Sequence, residues 1–356
     1  MIHIYCTYPV EQDFGKYCLF PLLEPFLQPH VLHSNEAKAD SPVWQTHYAI
    51  TNLPEAADLF VLPADIAWYY AHNRVHEVTD FVALAKQYAK PCWIFSGGDY
   101  GITWPDEYVQ QLRMASHKSR NKGNLFVMPP FIPDPLAQYN NAAAWTAKPS
   151  IGFCGQSNGS LLIKGQDYLR WGLKWAKKLA GRFEHDLQPL QSTSYLRAQV
   201  LRQLANSNKL DTHFLTFQQY KAGINNEADM MPARLRYVKN IVDNHYTICV
   251  RGAGNYSIRF YDCLASGRIP ILLDTDTEMP LASLIDWDKH IIRILPGKES
   301  HWAQAIVQFH QQYSANEFRY LQQANRQLWQ EKLTYNGFFA HFHLLPPNQS
   351  FAHLYA

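Results

Sequence analysis

Short apolar segments alternate with amphipathic segments along the whole chain. In the N-terminal half, apolar segments predict strands at residues 2–6, 58–62, 91–95 and 125–128. Apolar residues on one face predict a helix at residues 77–90, and a second helix is predicted at residues 106–117. Strands that alternate with helices are typical of α/β folds, because parallel neighbours need a crossover connection between them. The N-terminal half is therefore predicted to form a parallel sheet.

A second series of the same kind follows residues 129–149, where five prolines predict a linker. Its predicted strands and helices are residues 150–154, 166–180, 195–205, 212–217 and 232–241. Ser314 and Glu317 have capping-box spacing, which predicts a long helix to about residue 332. The predicted organisation is an N-terminal domain, a second domain and a terminal helix with its tail that packs back on the first domain. These three parts are residues 1–147, 148–313 and 314–356.

Residues 247–276 contain the most specific pattern in the chain. Apolar strands are predicted at residues 247–250 and 269–273, with a helix at residues 256–266 that ends at Gly267. The residues expected on the buried face of this helix are Ile258, Tyr261, Leu264 and Ala265. Strand, glycine loop, helix and strand make a βαβ unit, which requires parallel pairing.

The loop before this helix has the features of an anion site. Gly252 and Gly254 let the backbone approach a ligand closely, and the helix begins with unpaired N–H groups and the positive end of its dipole. Arg251 and Arg259 add guanidinium groups suited to phosphate oxygens, while Asp262 is positioned to accept hydrogen bonds from ribose hydroxyls. We therefore expect a nucleoside diphosphate at the start of the helix.

The same stretch resembles the signature of the exostosin family of glycosyltransferases, R-G-x-G-x-x-S-x-R-x-x-E-x-L-x-x-G-x-I-P-V followed shortly by Asp. The matching residues are Arg251, Gly252, Gly254, Ser257, Arg259, Leu264, Gly267, Ile269, Pro270 and Asp274. Asp262 stands where the family usually has Glu, and Arg268 where it often has Cys. Residues 51–63 and 93–100 resemble two other exostosin segments more loosely.

The resemblance implies a GT-B fold, in which two Rossmann-like domains face a cleft. It implies inverting transfer of a sugar from a nucleotide sugar, expected to be a UDP-sugar, to a glycan or lipid-linked glycan acceptor. Bacterial surface polysaccharide is the expected product, and no cofactor is expected. The residues expected to bind the donor are Arg251, Gly252, Gly254, Asn255, Tyr256, Ser257, Arg259 and Asp262.

Two other functions fit parts of the pattern. Gly252-x-Gly254, with Asp274 about 20 residues further on, imitates the dinucleotide fingerprint of an NAD(P)-dependent oxidoreductase. The third glycine of that fingerprint is missing, and the flanking arginines favour the glycosyltransferase. A non-catalytic sugar- or nucleotide-binding protein on the same fold is the other alternative.

Inverting transfer needs a general base on the acceptor side of the cleft. Asp65 and Asp99 each follow a predicted strand, so both are expected near the ligand-binding edge of the sheet. Either residue could equally be an N-cap or turn residue, but Asp99 also lies in a segment that resembles the family. Asp13 and Glu11 are further candidates. Arg259 is expected to stabilise the leaving diphosphate during catalysis.

No metal site is predicted. Asp274-Thr-Asp276 resembles a metal-binding D-x-D, but the arginines and the helix end already supply positive charge there. A solvated loop or a contact between domains is the expected role of these aspartates. The close histidine pairs, His30/His33 and His341/His343, lack further ligands at suitable spacing and predict surface or packing positions.

Composition excludes several classes of protein. The 356-residue chain is 47% hydrophobic and 17% charged, with a net charge of +2 and no basic runs, so neither nucleic acid nor an anionic membrane surface is implied as a partner. No stretch approaches the ~20 apolar residues of a spanning helix. Six scattered cysteines favour free thiols in a reducing compartment. Because the sequence begins without a leader pattern, we expect a cytoplasmic protein, at most peripheral at the inner face of the membrane.

Overall fold

The computed structural model describes residues 1–7, 19–27, 41–138, 143–218 and 227–345. The strands within these ranges are β1 (Ile2–Tyr5), β2 (Tyr48–Thr51), β3 (Leu59–Asp65), β4 (Cys92–Ser96), β5 (Val109–Arg113), β6 (Leu125–Val127), β7 (Ser150–Gln156), β8 (Asp211–Phe217), β9 (Tyr246–Cys249), β10 (Ile269–Leu273) and β11 (Ile292–Ile294). The helices are α1 (Glu24–Leu27), α2 (Pro42–Thr46), α3 (Ile66–Ala71), α4 (Val75–Gln87), α5 (Leu161–Leu179), α6 (Thr193–Ala205), α7 (Glu227–Val242), α8 (Ile258–Ala265), α9 (Glu299–Gln311), α10 (Ala315–Leu328) and α11 (Tyr335–Phe342).

The described strands form two separate parallel sheets. One has the order β2-β1-β3-β4-β5-β6, and the other has the order β11-β10-β9-β7-β8. We call each sheet with its packed helices a lobe, N-terminal and C-terminal respectively. Every strand pair is parallel. The predicted fold class, α/β with two Rossmann-like parallel sheets, is confirmed.

The βαβ unit lies at the centre of the C-terminal lobe. β9 and β10 pair in parallel, with Ile248 opposite Ile271, and α8 connects them as predicted. The helix ends at Gly267, whose φ of +62° is a conformation that glycine adopts without strain. One expectation is wrong: Ile258 at the start of α8 is 50% exposed and does not pack in the core.

The prediction of a helix at residues 106–117 is wrong, because β5 occupies the middle of that range and pairs with β4 and β6. In the sequence, the polar residues of β5 are typical of the exposed face of a helix. In the structure all of them are buried. Gln110 accepts a hydrogen bond from Trp93 Nε1 at 2.6 Å, and the Gln111 side chain accepts one from Trp104 N at 3.0 Å. Polar residues are stable inside this sheet because other segments satisfy them.

The C-terminal helices cross back onto the N-terminal lobe. The predicted capping box of Ser314 and Glu317 opens α10, and a π-helical turn (Trp329–Leu333) leads into α11. In α11, Phe339 O accepts a hydrogen bond from Tyr48 Oη at 2.8 Å, and Tyr335 Oη accepts one from Trp44 Nε1 at 2.9 Å. The C-terminal segment therefore contacts the N-terminal lobe.

Direct contacts also join the lobes across the cleft. Arg113 Nη1 lies 2.9 Å from Asp186 Oδ2, and Lys174 Nζ donates to Tyr100 Oη at 2.6 Å. On the C-terminal side of the cleft, Asp276 accepts hydrogen bonds from the backbone and hydroxyl of Ser119. The two lobes are therefore in contact in this structure.

Other predictions concern single residues. The cysteines in the described ranges are free thiols, namely Cys6, Cys92, Cys154, Cys249 and Cys263. His341 and His343 have the packing positions expected of them, near Gly337 and Tyr48. None of the described helices is long and apolar enough to cross a membrane. Glu11, Asp13, Cys18, His30 and His33 lie outside the described residues.

Candidate active site

A cavity of about 580 Å³ opens between the lobes at the N-terminus of α8. The residues that line it are Asp99, Gly155, Gln156, Thr193, Arg197, Tyr237, Gly252, Ala253, Tyr256, Ser257, Ile258 and Arg259. All except Asp99 belong to the C-terminal lobe. The carboxyl ends of β7 and β9 lead into this wall, which is where parallel sheets usually bind ligands.

Arg259 extends from the first turn of α8 across the end of β7. Its Nη2 donates to Cys154 O at 2.8 Å, and its guanidinium lies 4.2 Å from the centre of the Phe153 ring. A Cβ atom on Gly155 would lie 2.5 Å from that nitrogen, so this glycine makes room for the side chain. Arg259 Nε is buried and has no partner. The guanidinium thus retains hydrogen-bonding capacity at the cavity.

The first turn of α8 presents polar groups to the same cavity. Ser257 is the N-cap residue, yet its side chain makes no capping hydrogen bond. Gly252 folds the loop back by donating from its backbone to Tyr256 O at 2.9 Å, and a Cβ atom at this position would meet only that oxygen, at 3.9 Å. The first N–H groups of a helix have no acceptor within the helix and favour anions. This end of α8 therefore suits a phosphate group.

Arg251 is a buried cation next to this loop. It is 3% exposed, and its Nη2 donates to Gln188 Oε1 at 2.5 Å and to Ala253 O at 2.9 Å. Its Nε and Nη1 have no partner, and burial lowers its pKa to about 10. Burial of a guanidinium without a carboxylate partner costs free energy, and a bound anion would offset that cost. Arg251 lines a second cavity of about 260 Å³ that adjoins the first one at Thr193 and Ala253.

Asp99 reaches the first cavity from the N-terminal lobe, in the loop after β4. Its side chain is exposed, and its carbonyl oxygen lies against the Cα of Gly254. A Cβ atom on Gly254 would overlap that oxygen, so Gly254 is needed for the contact between lobes. In the dinucleotide fingerprint, a glycine lets the backbone approach a pyrophosphate. In this structure Gly254 instead lets the loop approach the backbone of Asp99.

Asp65 is not among the residues that line these cavities. It is the N-cap of α3, and it accepts hydrogen bonds from Ala67 N and Gly97 N, each at 2.9 Å. Burial raises its pKa to about 6. Of the two roles considered for Asp65, the structure supports the capping role.

Two predicted donor-binding residues point elsewhere. Asn255 is buried and donates to carbonyl groups on both sides of the cleft, among them Ser116 O at 3.1 Å and Asp276 O at 3.0 Å. Asp262 is 1% exposed; its carboxylate accepts from Arg234 at 2.9 Å and from Tyr237 Oη at 2.7 Å. Asn255 therefore joins the lobes, and Asp262 positions Tyr237, whose ring does line the cavity.

Several wall residues were not predicted from the sequence. Gly155, Gln156 and Tyr237 come from β7 and α7, and Arg197 on α6 donates to Arg251 O at 2.9 Å. Gly155 and Gln156 directly follow the strand predicted at residues 150–154, and the rule that ligands bind at carboxyl ends of strands would have identified them. Arg197 and Tyr237 lie in the middle of helices, where no local signal marks them.

The Asp274-Thr-Asp276 segment makes protein contacts. Asp274 accepts from Arg293 Nη1 and from Thr277 N, both at 2.9 Å. Asp276 binds Ser119 of the other lobe, which is one of the two roles expected for this segment. Within the described ranges, no group of three or more His, Cys, Asp or Glu residues could hold a metal ion.

A third cavity, of about 460 Å³, continues along the cleft past Gln188. One side is formed by Trp171 and Trp175 of α5, and the other includes His117 and Arg120. Trp171 donates from Nε1 to Gln188 O at 2.8 Å, which holds its ring in place. Indole faces next to cations and polar groups can stack on sugar rings and bind their hydroxyls.

No family model matches the sequence, and no curated protein matches it. Solved structures match about four-fifths of this chain. S. aureus TarM is 10% identical, with a TM-score of 0.36 and 80% of this chain and 54% of that chain covered. The pneumococcal O-GlcNAc transferase GtfA, in complex with UDP and GlcNAc, is 9% identical, with a TM-score of 0.31 and coverage of 80% and 56%. The calicheamicin glycosyltransferase CalG4 is 10% identical, with a TM-score of 0.31 and coverage of 80% and 73%. The chain spans about half the length of the first two.

Proposed function

We propose that this protein is a glycosyltransferase that moves a sugar from a nucleotide-sugar donor to a hydroxyl group of a glycan or lipid-linked glycan. One observation carries the proposal: a single cavity brings Arg259 and the N-terminus of α8 from one lobe together with Asp99 from the other. Sugar transfer needs cationic groups for a departing diphosphate and a base for the acceptor hydroxyl. Both kinds of group face this cavity.

The donor diphosphate would lie at the start of α8. Arg259 and the helix end would bind its oxygens, and Arg251, next to the loop, would gain the anion that its buried guanidinium lacks. The tyrosine at position 237, held by Asp262, would form part of the wall beside the nucleoside. We therefore assign donor binding to the C-terminal lobe, the second of the predicted domains (residues 148–313).

The acceptor would lie on the side of Asp99, in the cavities that continue towards Trp171 and Trp175. The Asp99 carboxylate would take the proton of the acceptor hydroxyl while the oxygen of that hydroxyl forms a bond with the anomeric carbon. The bond from that carbon to the diphosphate breaks, and the leaving group departs with the electron pair, towards Arg259. Attack from the face opposite the leaving group inverts the anomeric centre.

Membership of the exostosin family, a UDP-sugar donor, inversion, a cytoplasmic location and a role in surface polysaccharide synthesis are the finer parts of this proposal. Family membership, donor, inversion and product are supported by the residues that match the exostosin signature, of which Arg259, Ser257 and Gly252 line the cavity. The cytoplasmic location is supported by the free thiols of the described cysteines. We also propose that no metal takes part, because Asp274 and Asp276 are engaged by Arg293 and Ser119.

The test is a saturation-transfer NMR panel of UDP-, GDP-, CMP- and dTDP-sugars with NAD⁺ and NADP⁺, followed by a turnover assay. We expect one nucleotide sugar to bind and to release its nucleoside diphosphate with an acceptor present. Binding of NAD(P) alone would favour the oxidoreductase. A bound donor that is not turned over with any glycan or lipid-linked acceptor would favour the non-catalytic protein.

A further inference from the structure

Helix α5 has an apolar face that nothing in the described ranges covers. None of its 19 residues is buried, although it carries leucines at regular helical spacing. Leu162, Leu169 and Leu173 are 79%, 67% and 57% exposed. At 3.6 residues per turn they fall within about 40° of each other on the helix surface. An amphipathic helix normally buries such a stripe, so an uncovered one indicates a binding surface.

The opposite face of α5 is the one that packs on the protein. Asp167 accepts a hydrogen bond from Ser192 at 2.6 Å, Trp171 donates to Gln188 O, and Lys174 donates to Tyr100. On the outer side, a Cβ atom on Gly165 or Gly172 would meet nothing within 4 Å. The leucine stripe therefore points away from the cleft.

The charge of α5 identifies the kind of partner. Its basic residues are Lys164, Arg170, Lys174, Lys177 and Lys178, and Asp167 is its acidic residue. The helix is thus +4 in a chain whose net charge is +2, so the rest of the chain is net negative. Arg170 has a 71% exposed side chain and also forms an ion pair with Asp167 at 3.4 Å, while Lys177, also exposed, lies on the same flank of the leucine stripe. Leucines flanked by lysine and arginine are typical of helices that lie in the headgroup region of anionic membranes.

We propose that the outer face of α5 binds the surface of an anionic lipid bilayer, with its leucines among the acyl chains near the headgroups. The proposal does not depend on the reaction assigned to the cleft. The proposal does determine how far the cleft lies from the membrane, because Trp171 and Trp175 of the same helix line the third cavity. Since a helix with its side chains is about 10 Å across, that cavity would open close to the lipid headgroups.

The experiment is vesicle flotation of the full chain. We expect binding to phosphatidylcholine vesicles that contain phosphatidylglycerol, much weaker binding to phosphatidylcholine alone, and release as salt screens the charges. The double substitution Leu169→Gln and Leu173→Gln should abolish flotation. A matched control, Leu53→Gln with Leu295→Gln, changes leucines that are 56% and 49% exposed elsewhere and should float like the wild type. Arg170→Gln with Lys177→Gln should lower the partition coefficient about 30-fold, or about 1 kcal/mol per basic residue.

Three results would overturn the proposal: a wild-type chain that does not float with anionic vesicles, equal loss in the control variant, or equal binding to neutral and anionic vesicles. Light scattering of the same samples tests whether a second copy of the chain, and not a membrane, covers the leucine stripe. A dimer that becomes monomeric on Leu169→Gln with Leu173→Gln, without vesicle binding, would assign the face to a second copy of the chain.

Discussion

Gly254 of the C-terminal lobe lies directly against the carbonyl oxygen of Asp99 in the N-terminal lobe. Because any side chain at position 254 would overlap that oxygen, glycine is needed for the loop after β4 to lie this close to the loop before α8. This contact places the exposed Asp99 side chain on the wall of the cavity that Arg259 also lines.

Asp99→Asn should lower kcat by about 10²–10⁴-fold, because the amide cannot accept the proton of the acceptor hydroxyl. The affinity for the donor should change little, since the diphosphate is assigned to the other lobe. Steady-state kinetics with both substrates varied measures the two effects separately. Asp288→Asn, at a 78% exposed side chain, is the control. Wild-type turnover in Asp99→Asn would remove this residue from the mechanism.

Arg259→Ala should reduce turnover by about 10²–10³-fold, the usual cost of losing one charged contact with a leaving group. The melting temperature should stay close to that of the wild type, because Arg259 forms no ion pair among the described residues and its ring contacts lie at the cavity edge. Arg319→Ala, an exposed position of α10, controls for loss of a positive charge. Near-wild-type activity in Arg259→Ala would overturn the phosphate assignment.

Arg251→Met should weaken binding of the free nucleoside diphosphate by about 10-fold or more, as expected for a charged hydrogen bond. The same change should leave the melting temperature unchanged or raise it, because it replaces a buried, partly unpartnered cation with an apolar side chain. Calorimetric titration and a thermal melt of the same samples measure both effects. A large loss of stability with unchanged affinity would instead make Arg251 a structural residue.

Turnover should survive exhaustive EDTA treatment in metal-free buffer. A diphosphate leaves with at least two negative charges, and the arginines with the N-terminus of α8 are placed to meet them. Asp274 and Asp276 are already held by Arg293 and Ser119. The assay compares release of the nucleoside diphosphate before and after chelation. Activity that disappears and returns with Mn²⁺ or Mg²⁺ would mean that these aspartates bind a metal during turnover.

Asp65 should make stability depend on pH in a particular direction. Burial raises its pKa in the folded protein from 3.8 to about 6, so the folded state favours the protonated form. The contribution of protonated Asp65 to the free energy of unfolding is complete below about pH 3.8, and it is lost as the pH rises through about 6. The free energy of unfolding of the wild type, relative to Asp65→Asn, should therefore fall by about 2 kcal/mol between pH 4 and pH 7. Urea titrations at several pH values measure this difference, and a constant value would contradict the burial of a titrating carboxyl.

Much of the fold could be predicted because its signals are local. The β9–α8–β10 unit is encoded within 30 residues by two apolar runs, a glycine loop and Gly267 as a helix stop. The alternation of strand and helix then allowed only parallel sheets. The same local pattern placed Arg259, Ser257 and Gly252 at a helix N-terminus, which is where they line the cavity.

Side-chain partners from distant segments decided the rest. The sequence predicts a helix at residues 106–117. In the structure, Trp93 and Trp104 supply hydrogen-bond partners for Gln110 and Gln111 inside a sheet. Asp262 has the sequence position of a ribose ligand, but Arg234 and Tyr237, on another helix, engage its carboxylate.

Helix α5 shows the same division between sequence and tertiary structure. Its amphipathic pattern predicts a helix at residues 166–180, yet the pattern alone does not say which face the protein covers. Hydrogen bonds to Ser192, Gln188 and Tyr100 turn one face of the helix towards the protein and leave the leucines on the outside. Hydrophobic periodicity thus determined the elements of this protein, because it acts over a few residues. Which polar and apolar groups remain available for function depends on contacts between residues far apart in the chain, and only the tertiary structure decided them.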